Sequence, residues 1–334
     1  MGIKLKQINR HSVKAIPLPE EDKRPIRGFD IVEEPYANIF LCAKKNSGKT
    51  SATFKILQEC TGKDTKIIIF CSTAYKDKNW IQIRKIFKQK KMDVTVYTSI
   101  YEGGRDNLAH LVESLRREAK DAEEAEDESD DERKTGKGFR DDGEPMDACD
   151  LILKRLETMH MSATGGGYDE MKKAQDKMKR DEEEEAREKP KKSKYLEPEY
   201  MIIFDDLSSE LKSPSLLSLL KFNRHFKAKL IISSQWINDL LPESRKQIDL
   251  FLIFKGFPEE KMKAIFTDCD TGVEFDTFFK MYKKATKHDY AFMYIDTRKD
   301  GFRRNFNQQF IVKKKSHKSY DTDSDASSSD TDSD

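Results

Sequence analysis

Cysteine is scarce in this sequence, with five residues in 334 and no C-x-x-C pair. Scattered single cysteines do not form the ligand pairs of a zinc site, and an odd number does not fit a closed set of disulfides. Because several of them lie in or beside apolar runs, we expect buried, reduced thiols in an intracellular protein. The five are Cys42, Cys60, Cys71, Cys149 and Cys269.

Long apolar runs are absent as well. No stretch approaches the roughly 18 apolar residues that a transmembrane helix needs, and the opening MGIKLKQINR lacks the apolar core of a signal peptide. We therefore expect no membrane span. A surplus of either charge is also missing: 62 Lys and Arg face 61 Asp and Glu, for a net charge of +1. These charges occur in blocks, so the average says little about binding partners.

The charge blocks divide the chain. Charged residues make up 37% and hydrophobic residues 36%, which indicates a packed core interrupted by solvated segments. We predict an N-terminal arm over 1–30 and a core in two parts, 31–120 and 199–312. Between them lies a charged, mostly disordered insertion over 121–198. A disordered tail over 313–334 changes from basic to acidic.

Short apolar runs alternate with helical patterns in both parts of the core. All-apolar runs such as KIIIF are typical of strands buried on both faces. The pattern therefore predicts an α/β fold, with a mostly parallel sheet and helices on both faces. The predicted strands lie within 38–42, 66–72, 93–99, 200–207, 229–236, 248–256 and 290–296, and the predicted helices within 49–60, 79–91, 106–120, 215–226 and 258–268.

The stretch AKKNSGKT nearly matches the phosphate-loop pattern G-x-x-x-x-G-K-[ST], with Ala43 in place of the first glycine. It follows a predicted strand and precedes a predicted helix, as a phosphate loop requires. In this interpretation Lys49 reaches the β- and γ-phosphates, Thr50 binds Mg²⁺, and Gly48 lets the backbone approach the ligand. The alternative for this motif alone is a solvated basic turn. The residues expected around the phosphates are Ala43, Lys44, Lys45, Asn46, Ser47, Gly48, Lys49, Thr50 and Ser51.

Two aspartates follow the predicted strand YMIIF. A phosphate-loop ATPase needs one carboxylate at a strand end for Mg²⁺ and another to orient the attacking water. We assign Asp205 to Mg²⁺ and Asp206 to the water. Acidic pairs also end strands simply because strand ends meet solvent. Here the pair follows a phosphate-loop motif in the expected chain order, which favours a nucleotide site.

The predicted strand LIISSQW ends in polar residues. In additional-strand phosphate-loop ATPases such a strand ends in a sensor of the γ-phosphate, and Gln235 fits that role better than Ser233 or Ser234. Arg224 precedes this strand and Arg245 follows it; either could stabilise transition-state charge at a neighbouring subunit's nucleotide. The sequence leaves open which of the two does so, and most arginines are ordinary surface residues.

Taken in order, these segments resemble the FtsK–HerA superfamily. More narrowly, they are similar to the genome-packaging ATPases of large eukaryotic DNA viruses, virophages and Polinton-type elements. That group shares a double acidic motif, an arginine-containing helix end, a strand ending in S-Q, and R-x-x-x-D before the last core strand. Arg245 and Asp249 supply the last motif. The resemblance covers about residues 30–310 apart from the insertion; Ala43 and the insertion depart from the family pattern.

The resemblance implies a RecA-like ATPase that uses ATP and Mg²⁺, forms a homo-oligomeric ring and pumps double-stranded DNA into a preformed capsid. Capsid or portal-type proteins would be partners, in a viral factory or virion, with a nuclear or cytoplasmic location left open. DNA contacts would be to phosphates and independent of sequence. Candidate contacts are Lys44, Lys45 and the basic segments 84–91 and 297–306, although each is also typical of a solvated surface.

Two other functions remain open at this point. One is an ATP-dependent assembly or switch protein that translocates nothing; Asp206 and the two candidate arginines argue for turnover instead. The other is a small-molecule phosphate-loop kinase. Such kinases usually carry a lid with clustered arginines, and the sequence shows no such lid.

Overall fold

A computed structural model describes residues 22–135 and 193–312. Most of its strands belong to one nine-stranded sheet, and two short strands form a separate hairpin. The strands are β1 (Asn38–Cys42), β2 (Lys66–Cys71), β3 (Val94–Tyr97), β4 (Tyr101–Glu102), β5 (Arg105–Asp106), β6 (Tyr200–Asp205), β7 (Ala228–Ser234), β8 (Leu250–Phe254), β9 (Phe292–Asp296), β10 (Gly301–Arg304) and β11 (Gln308–Gln309). The order across the large sheet is β11-β10-β9-β8-β1-β7-β6-β2-β3.

Helices connect most of these strands, and local sequence explains where several begin. The left-handed backbone of Gly48 (φ 94°) precedes the first helix, and the Asp77 carboxylate caps the second by accepting from Asn79 N at 2.7 Å. Pro214 occupies the first turn of the fourth. The helices are α1 (Lys49–Cys60), α2 (Lys78–Gln89), α3 (Asn107–Thr135), α4 (Pro214–Phe222), α5 (Pro242–Arg245), α6 (Glu259–Cys269) and α7 (Phe275–Ala285), with a 3₁₀ turn at Ile237–Asp239.

The predicted α/β architecture is confirmed. Strands β8, β1, β7, β6, β2 and β3 run parallel, and every residue of β1, β6, β7 and β8 is buried. Strands β9, β10 and β11 extend the sheet in antiparallel fashion. A short turn joins β9 to β10, and so tight a connection permits only antiparallel pairing.

Helices cover the sheet on both faces. Along β7, Leu230 and Ile232 pack into a cluster with α3, α4, α6 and α7, while Ile231 faces the opposite cluster with α1, α2 and the segment containing Ile31 and Val32. This alternation follows the two-residue period of a strand. It explains why the strand sequences are apolar throughout rather than at every second position.

The folded parts of the chain reach into both ends of the predicted insertion. Helix α3 continues past position 121 to Thr135, and pairs such as Lys120 with Glu124 (3.2 Å) follow its helical spacing. At the other end, residues 193–198 pack on the N-terminal segment, where Arg27 N donates to Leu196 O at 2.9 Å. The positions 136–192 lie outside the described residues, as do 1–21 of the predicted arm and the tail 313–334.

One predicted helix is too long. The pattern over 215–226 predicted helix to its end, but α4 stops at Phe222 and the chain turns before β7. Lys227 has φ 47° at this turn, and Ala228 N donates to Asn223 O at 2.8 Å. The turn takes the apolar Phe226 into the core although it is no longer helical.

The described cysteines are buried and unbridged, as predicted: Cys42, Cys60, Cys71 and Cys269. Burial raises the pKa of the Cys42 thiol to about 12 and that of Cys71 to about 11, so both stay protonated near neutral pH. Cys149 lies outside the described residues. No helix in the described ranges is long and apolar enough to cross a membrane.

One lysine lies fully inside the core. Lys229 of β7 has no exposed surface, and its Nζ has no hydrogen-bond partner among the described residues. Burial lowers the pKa of its ammonium group, against the opposing influence of the Cys60 thiol and the Glu34 carboxylate. A buried ammonium group with only the Cys60 thiol beside it disfavours the folded state when it is charged.

We therefore expect Lys229→Met to raise the free energy of unfolding near neutral pH, because methionine fills the space without a charge. Since the folded-state pKa lies below the ordinary 10.5, the unfolded chain binds more protons between these two values. As the pH rises from the folded-state pKa of Lys229 to 10.5, the free energy of unfolding of the wild type therefore increases relative to that of the variant. The total increase is about 1.4 kcal/mol for each unit by which folding lowers this pKa.

Urea unfolding of both proteins at about pH 7 and about pH 9.5 measures the difference. The difference in the free energy of unfolding between wild type and Lys229→Met should be smaller at the higher pH. Lys221→Met, a control at an exposed position, should change the free energy of unfolding little at either pH. A gap of the same size at both values would contradict the interpretation.

Candidate functional site

The site lies at the edge of the sheet where β1, β7 and β6 end. Strand β7 lies between the other two, with Ser234 opposite Cys42 of β1 and Ser233 opposite Asp205 of β6. Because the three strands are parallel, their carboxyl ends meet at one edge. The loop after β1 and the two aspartates at the end of β6 are thereby brought together across a single intervening strand.

Ala43 continues strand β1 instead of forming the turn. Its N–H donates to Ser234 O at 3.0 Å, and only 1% of its surface is exposed. The positive φ angles of the loop occur later, at Asn46 (61°) and Gly48 (94°), and Ala43 has none. Ser47 Oγ also donates to the Lys44 carbonyl at 2.7 Å. The loop therefore turns without a glycine at its first position.

Lys49 is bonded to both aspartates. Its Nζ donates to Asp205 Oδ1 at 2.8 Å and also to Asp206 Oδ1. Burial would lower the pKa of Lys49, but the two carboxylates outweigh it and raise that pKa above its ordinary value. The ammonium group is thus held charged at the end of β6, and the predicted proximity of these three residues is present in the fold.

Trp80 of α2 completes the surroundings of Asp205. Its indole Nε1 donates to Asp205 Oδ2 at 2.8 Å, and both residues are almost wholly buried, with 1% and 3% of their surfaces exposed. One oxygen of Asp205 therefore accepts from Lys49 and the other from Trp80. The helical spacing of 79–91 identified Trp80 only as part of an apolar face, since nothing in that spacing reports where the indole N–H points.

A cavity of about 670 Å³ opens beside Lys49. Of the residues predicted for the site, it is lined by Lys45, Asn46, Gly48, Lys49, Thr50, Ser51 and Asp206. The sequence interpretation missed five further lining residues: Thr73, Lys76, Asp77, Asn79 and Tyr290. Asp77 carried a detectable signal, because an aspartate just before a helical pattern is a common cap. The others carried none.

Several predicted residues do not line the cavity. The Lys44 ammonium lies 5.9 Å from the ring centre of Phe257, on another side of the loop. Gln235 is exposed and directly follows β7, where its carbonyl accepts weakly from Cys42 Sγ at 3.9 Å. Ser233 is buried, and its hydroxyl has no partner among the described groups. A sensing role for Gln235 stays a prediction.

Both candidate arginines lie at the opposite edge of the sheet. Arg224 is exposed just before β7 begins, and Arg245 ends α5 just before β8 begins. The seven residues of β7 separate the two edges by about 20 Å. Arg245 donates to the Leu240 carbonyl at 3.1 Å and lies 3.7 Å from Asp268. Neither arginine contacts the Lys49 site of its own chain.

The R-x-x-x-D motif does not form an internal pair. Asp249 accepts instead from Arg298 Nε at 2.7 Å and from Asn38 N at 2.8 Å. Burial raises the pKa of the Asp249 carboxyl, although these bonds oppose the shift.

Most of the basic segment 297–306 is neutralised within the fold. Arg298 lies 3.2 Å from Glu34, Lys299 lies 2.6 Å from Glu33, and Arg303 also pairs with Glu33. Lys44, Lys45 and the lysines of 85–91 are exposed instead. The candidate nucleic-acid contacts that stay exposed therefore lie mainly in the loop and in the segment 85–91. The sequence could not show this, because the neutralising glutamates precede β1.

We expect Trp80→Phe to lower the free energy of unfolding by about 1–3 kcal/mol, because a buried carboxylate oxygen loses its donor. The smaller ring also leaves a cavity, so the hydrogen bond is isolated by a double-mutant cycle with Asp205→Ala. Urea unfolding of the four proteins should give a coupling of about 1 kcal/mol or more. Additive effects of the two substitutions would show that this bond contributes nothing.

No protein-family model matches the sequence. A curated protein, "Uncharacterized protein 075L" of Invertebrate iridescent virus 6, is 30% identical over 102 residues, which are 30% of this chain and 40% of that protein. The chain therefore matches less than half the length of this curated relative.

Solved structures similar to this chain include the genome packaging NTPase B204 from Sulfolobus turreted icosahedral virus 2. Its complex with ATP-gammaS is 16% identical, with a TM-score of 0.41, over 81% of this chain and 97% of that one. Its complex with AMPPCP gives a TM-score of 0.43 over 81% and 98%, again at 16% identity. The cytoplasmic domain of the Type VII secretion ATPase EccC of Thermomonospora curvata is 10% identical, with a TM-score of 0.35, over 78% and 24%. These structural neighbours include viral genome-packaging NTPases.

Proposed function

We propose that this protein is an ATP-hydrolysing motor that translocates double-stranded DNA and packages a viral or mobile-element genome into a preformed capsid. The observation that carries the proposal is the position of Lys49. It lies at the start of α1, beside a polar cavity, and is bonded to both aspartates at the end of β6. Phosphate-loop ATP hydrolysis needs a lysine for the phosphates and a carboxylate for Mg²⁺ close together, and this position supplies both.

The start of α1 provides the phosphate site. Gly48 is its N-terminal cap and makes no side-chain cap bond, so backbone N–H groups of the first turn stay available to an anion. Lys45, Thr50 and Ser51 line the same cavity. A triphosphate there would compete with Asp205 and Asp206 for Lys49. The lysine would then exchange the two carboxylates for the β- and γ-phosphates.

The residues present also fit Mg²⁺. Mg²⁺ typically takes one or two protein ligands and completes its shell with phosphates and water. Thr50 and Asp205 would hold it, and when bound it would neutralise charge on the phosphates. Asp205 is suited to this because Trp80 holds its Oδ2, while its Oδ1 would be released to the ion when a triphosphate takes Lys49.

Asp206 is the candidate for orienting the attacking water. It is exposed and lines the cavity, unlike the buried Asp205. Its backbone is left-handed (φ 56°) and its carbonyl accepts from Ser72 Oγ at 3.2 Å, so a residue that directly follows β2 helps to hold it in place. Gln235, at the end of the intervening strand, would sense the γ-phosphate.

A ring of identical subunits would supply the positive charge that the site lacks for the transition state. Arg224 and Arg245 lie beside the starts of β7 and β8, at the edge of the sheet that the length of β7, about 20 Å, separates from the site of their own chain. One of them would therefore act on the nucleotide of a neighbouring subunit, where it stabilises transition-state charge.

The DNA contacts proposed here are electrostatic. Exposed Lys44, Lys45 and the lysines of 85–91 suit phosphates of any sequence, and such binding weakens as salt rises. Capsid or portal-type proteins are the proposed partners. A viral setting, in an infected cell or virion, agrees with the iridescent-virus origin of the curated relative.

Two alternatives are weaker on this geometry. An assembly or switch protein that only binds ATP would not need a second carboxylate exposed in the cavity, yet Asp206 is there. A small-molecule kinase would place lid arginines over the phosphates, and the described cavity lining includes no arginine.

Double-stranded DNA should stimulate ATP hydrolysis by the wild-type protein. Asp206→Asn should lower the rate by about 100-fold or more, because general-base assistance is lost. The exposed Asp64→Asn serves as the matched control and should keep the wild-type rate. ATP binding with no turnover above the Asp206→Asn level would favour the switch function, and turnover without any response to DNA would remove the translocation proposal.

Mixed subunits test whether an arginine acts across the interface. Lys49→Ala subunits have no working phosphate loop but keep their arginines, whereas Arg224→Ala or Arg245→Ala subunits have the reverse defect. Lys49→Ala alone and the variant that lacks the essential arginine alone should be inactive, and mixing these two should restore part of the ATPase rate. Failure of both mixtures to recover activity would argue against a shared site.

A further inference from the structure

Tyr290 lies directly against the phosphate loop. It precedes β9, which pairs antiparallel with β8, so it lies at the edge of the sheet where β8 and β1 end. A methyl group on Gly48 would be 3.1 Å from Cδ1 of the Tyr290 ring. The ring therefore fills the space beside Gly48, the residue that caps α1, next to the proposed phosphate position.

The tyrosine side chain is open to solvent although it stands at the wall of a cavity. It is 71% exposed, compared with 55% for Tyr75 and 50% for Tyr101. In the described part of the chain, it is the one aromatic residue among those lining the cavity beside Lys49; the other lining residues are polar or glycine. A large ring left uncovered at a polar site is available to cover a flat apolar surface.

The chain holds Tyr290 in this place at a conformational cost. Its φ is 62°, a left-handed value that bulky residues rarely adopt. On one side Asp289 pairs with Lys255 at 2.9 Å, and on the other Phe292 N donates to Asn305 Oδ1 at 3.1 Å. The turn is thus tied to β8 and to the turn after β10, and the ring is directed by the fold rather than by its own packing.

We propose that Tyr290 is the stacking surface for the nucleobase, and that the site takes purine nucleoside triphosphates with little selection between adenine and guanine. This inference rests on the proposed function of the same cavity. Stacking uses the flat face that every base presents and reads no hydrogen-bonding edge, so one ring distinguishes bases mainly by area. A purine covers more of the ring than a pyrimidine does.

The test compares nucleotides with inorganic tripolyphosphate, which has the phosphates without a base. Dissociation constants of ATP, GTP, CTP and tripolyphosphate are measured for the full chain and for the variants Tyr290→Ala, Tyr290→Leu and Tyr290→Phe. Tyr290→Ala should weaken ATP and GTP by at least about fivefold, the lower end of base–aromatic stacking. Tyr290→Leu should lie between Tyr290→Ala and wild type, and Tyr290→Phe should match wild type.

Tripolyphosphate should bind all of these proteins equally, and CTP should bind wild type more weakly than the purines. Equal loss of ATP and tripolyphosphate would mean that Tyr290 only shapes the loop, and an unchanged ATP affinity in Tyr290→Ala would also overturn the inference. Tyr101→Ala, an exposed tyrosine in the separate hairpin, controls for loss of any surface ring.

Lys49→Ala separates this inference from the proposed function. It should abolish binding of both ATP and tripolyphosphate, whatever Tyr290 does. If Lys49→Ala behaves so and the Tyr290 variants do not differ, the phosphate site stands and the base-stacking role is wrong. If wild type binds neither ligand, the nucleotide site itself is wrong, and the stacking role with it.

Discussion

The ion pairs of Lys49 with Asp205 and Asp206 are the interactions on which the site depends. They exist because β1, β7 and β6 are parallel neighbours that end at one edge, so α1 starts opposite the end of β6. The Trp80 indole then holds Asp205 from α2. Three elements that are distant along the chain, α1, α2 and β6, thereby meet at one buried carboxylate. A shift of any one of them would break a hydrogen bond to another.

The same sheet carries groups with opposite demands. Its strands must be apolar on both faces because helices cover both, yet their ends must present charge to the cavity. The transition occurs within β6, where Phe204 is fully buried, Asp205 is buried but bonded, and Asp206 is exposed. In β7 the polar side chains are less well accommodated. Lys229 and Ser233 each have a buried polar atom without a hydrogen-bond partner among the described residues.

Local sequence was sufficient where a signal was strong and continuous. The limits of β1 and α1 agree with prediction because an apolar run, a glycine with positive φ and a helix-forming stretch follow one another directly. It failed where a contact crosses the chain. Helix α4 ends earlier than its periodicity indicated, and the basic segment after β9 is neutralised by Glu33 and Glu34, which no local pattern could reveal.

By itself the sequence determined which residue types stand at the ends of which strands. A turn that nearly matches the phosphate-loop pattern follows β1, two aspartates stand at the end of a buried strand, and the strand between them has a polar end. Tertiary structure alone decided how those ends are used. It brought Trp80 onto Asp205, placed the exposed ring of Tyr290 against Gly48, and moved both candidate arginines to the far edge. The physical reason is that hydrogen bonds and ring contacts depend on direction and distance in space, whereas periodicity and composition report only burial and local backbone preference.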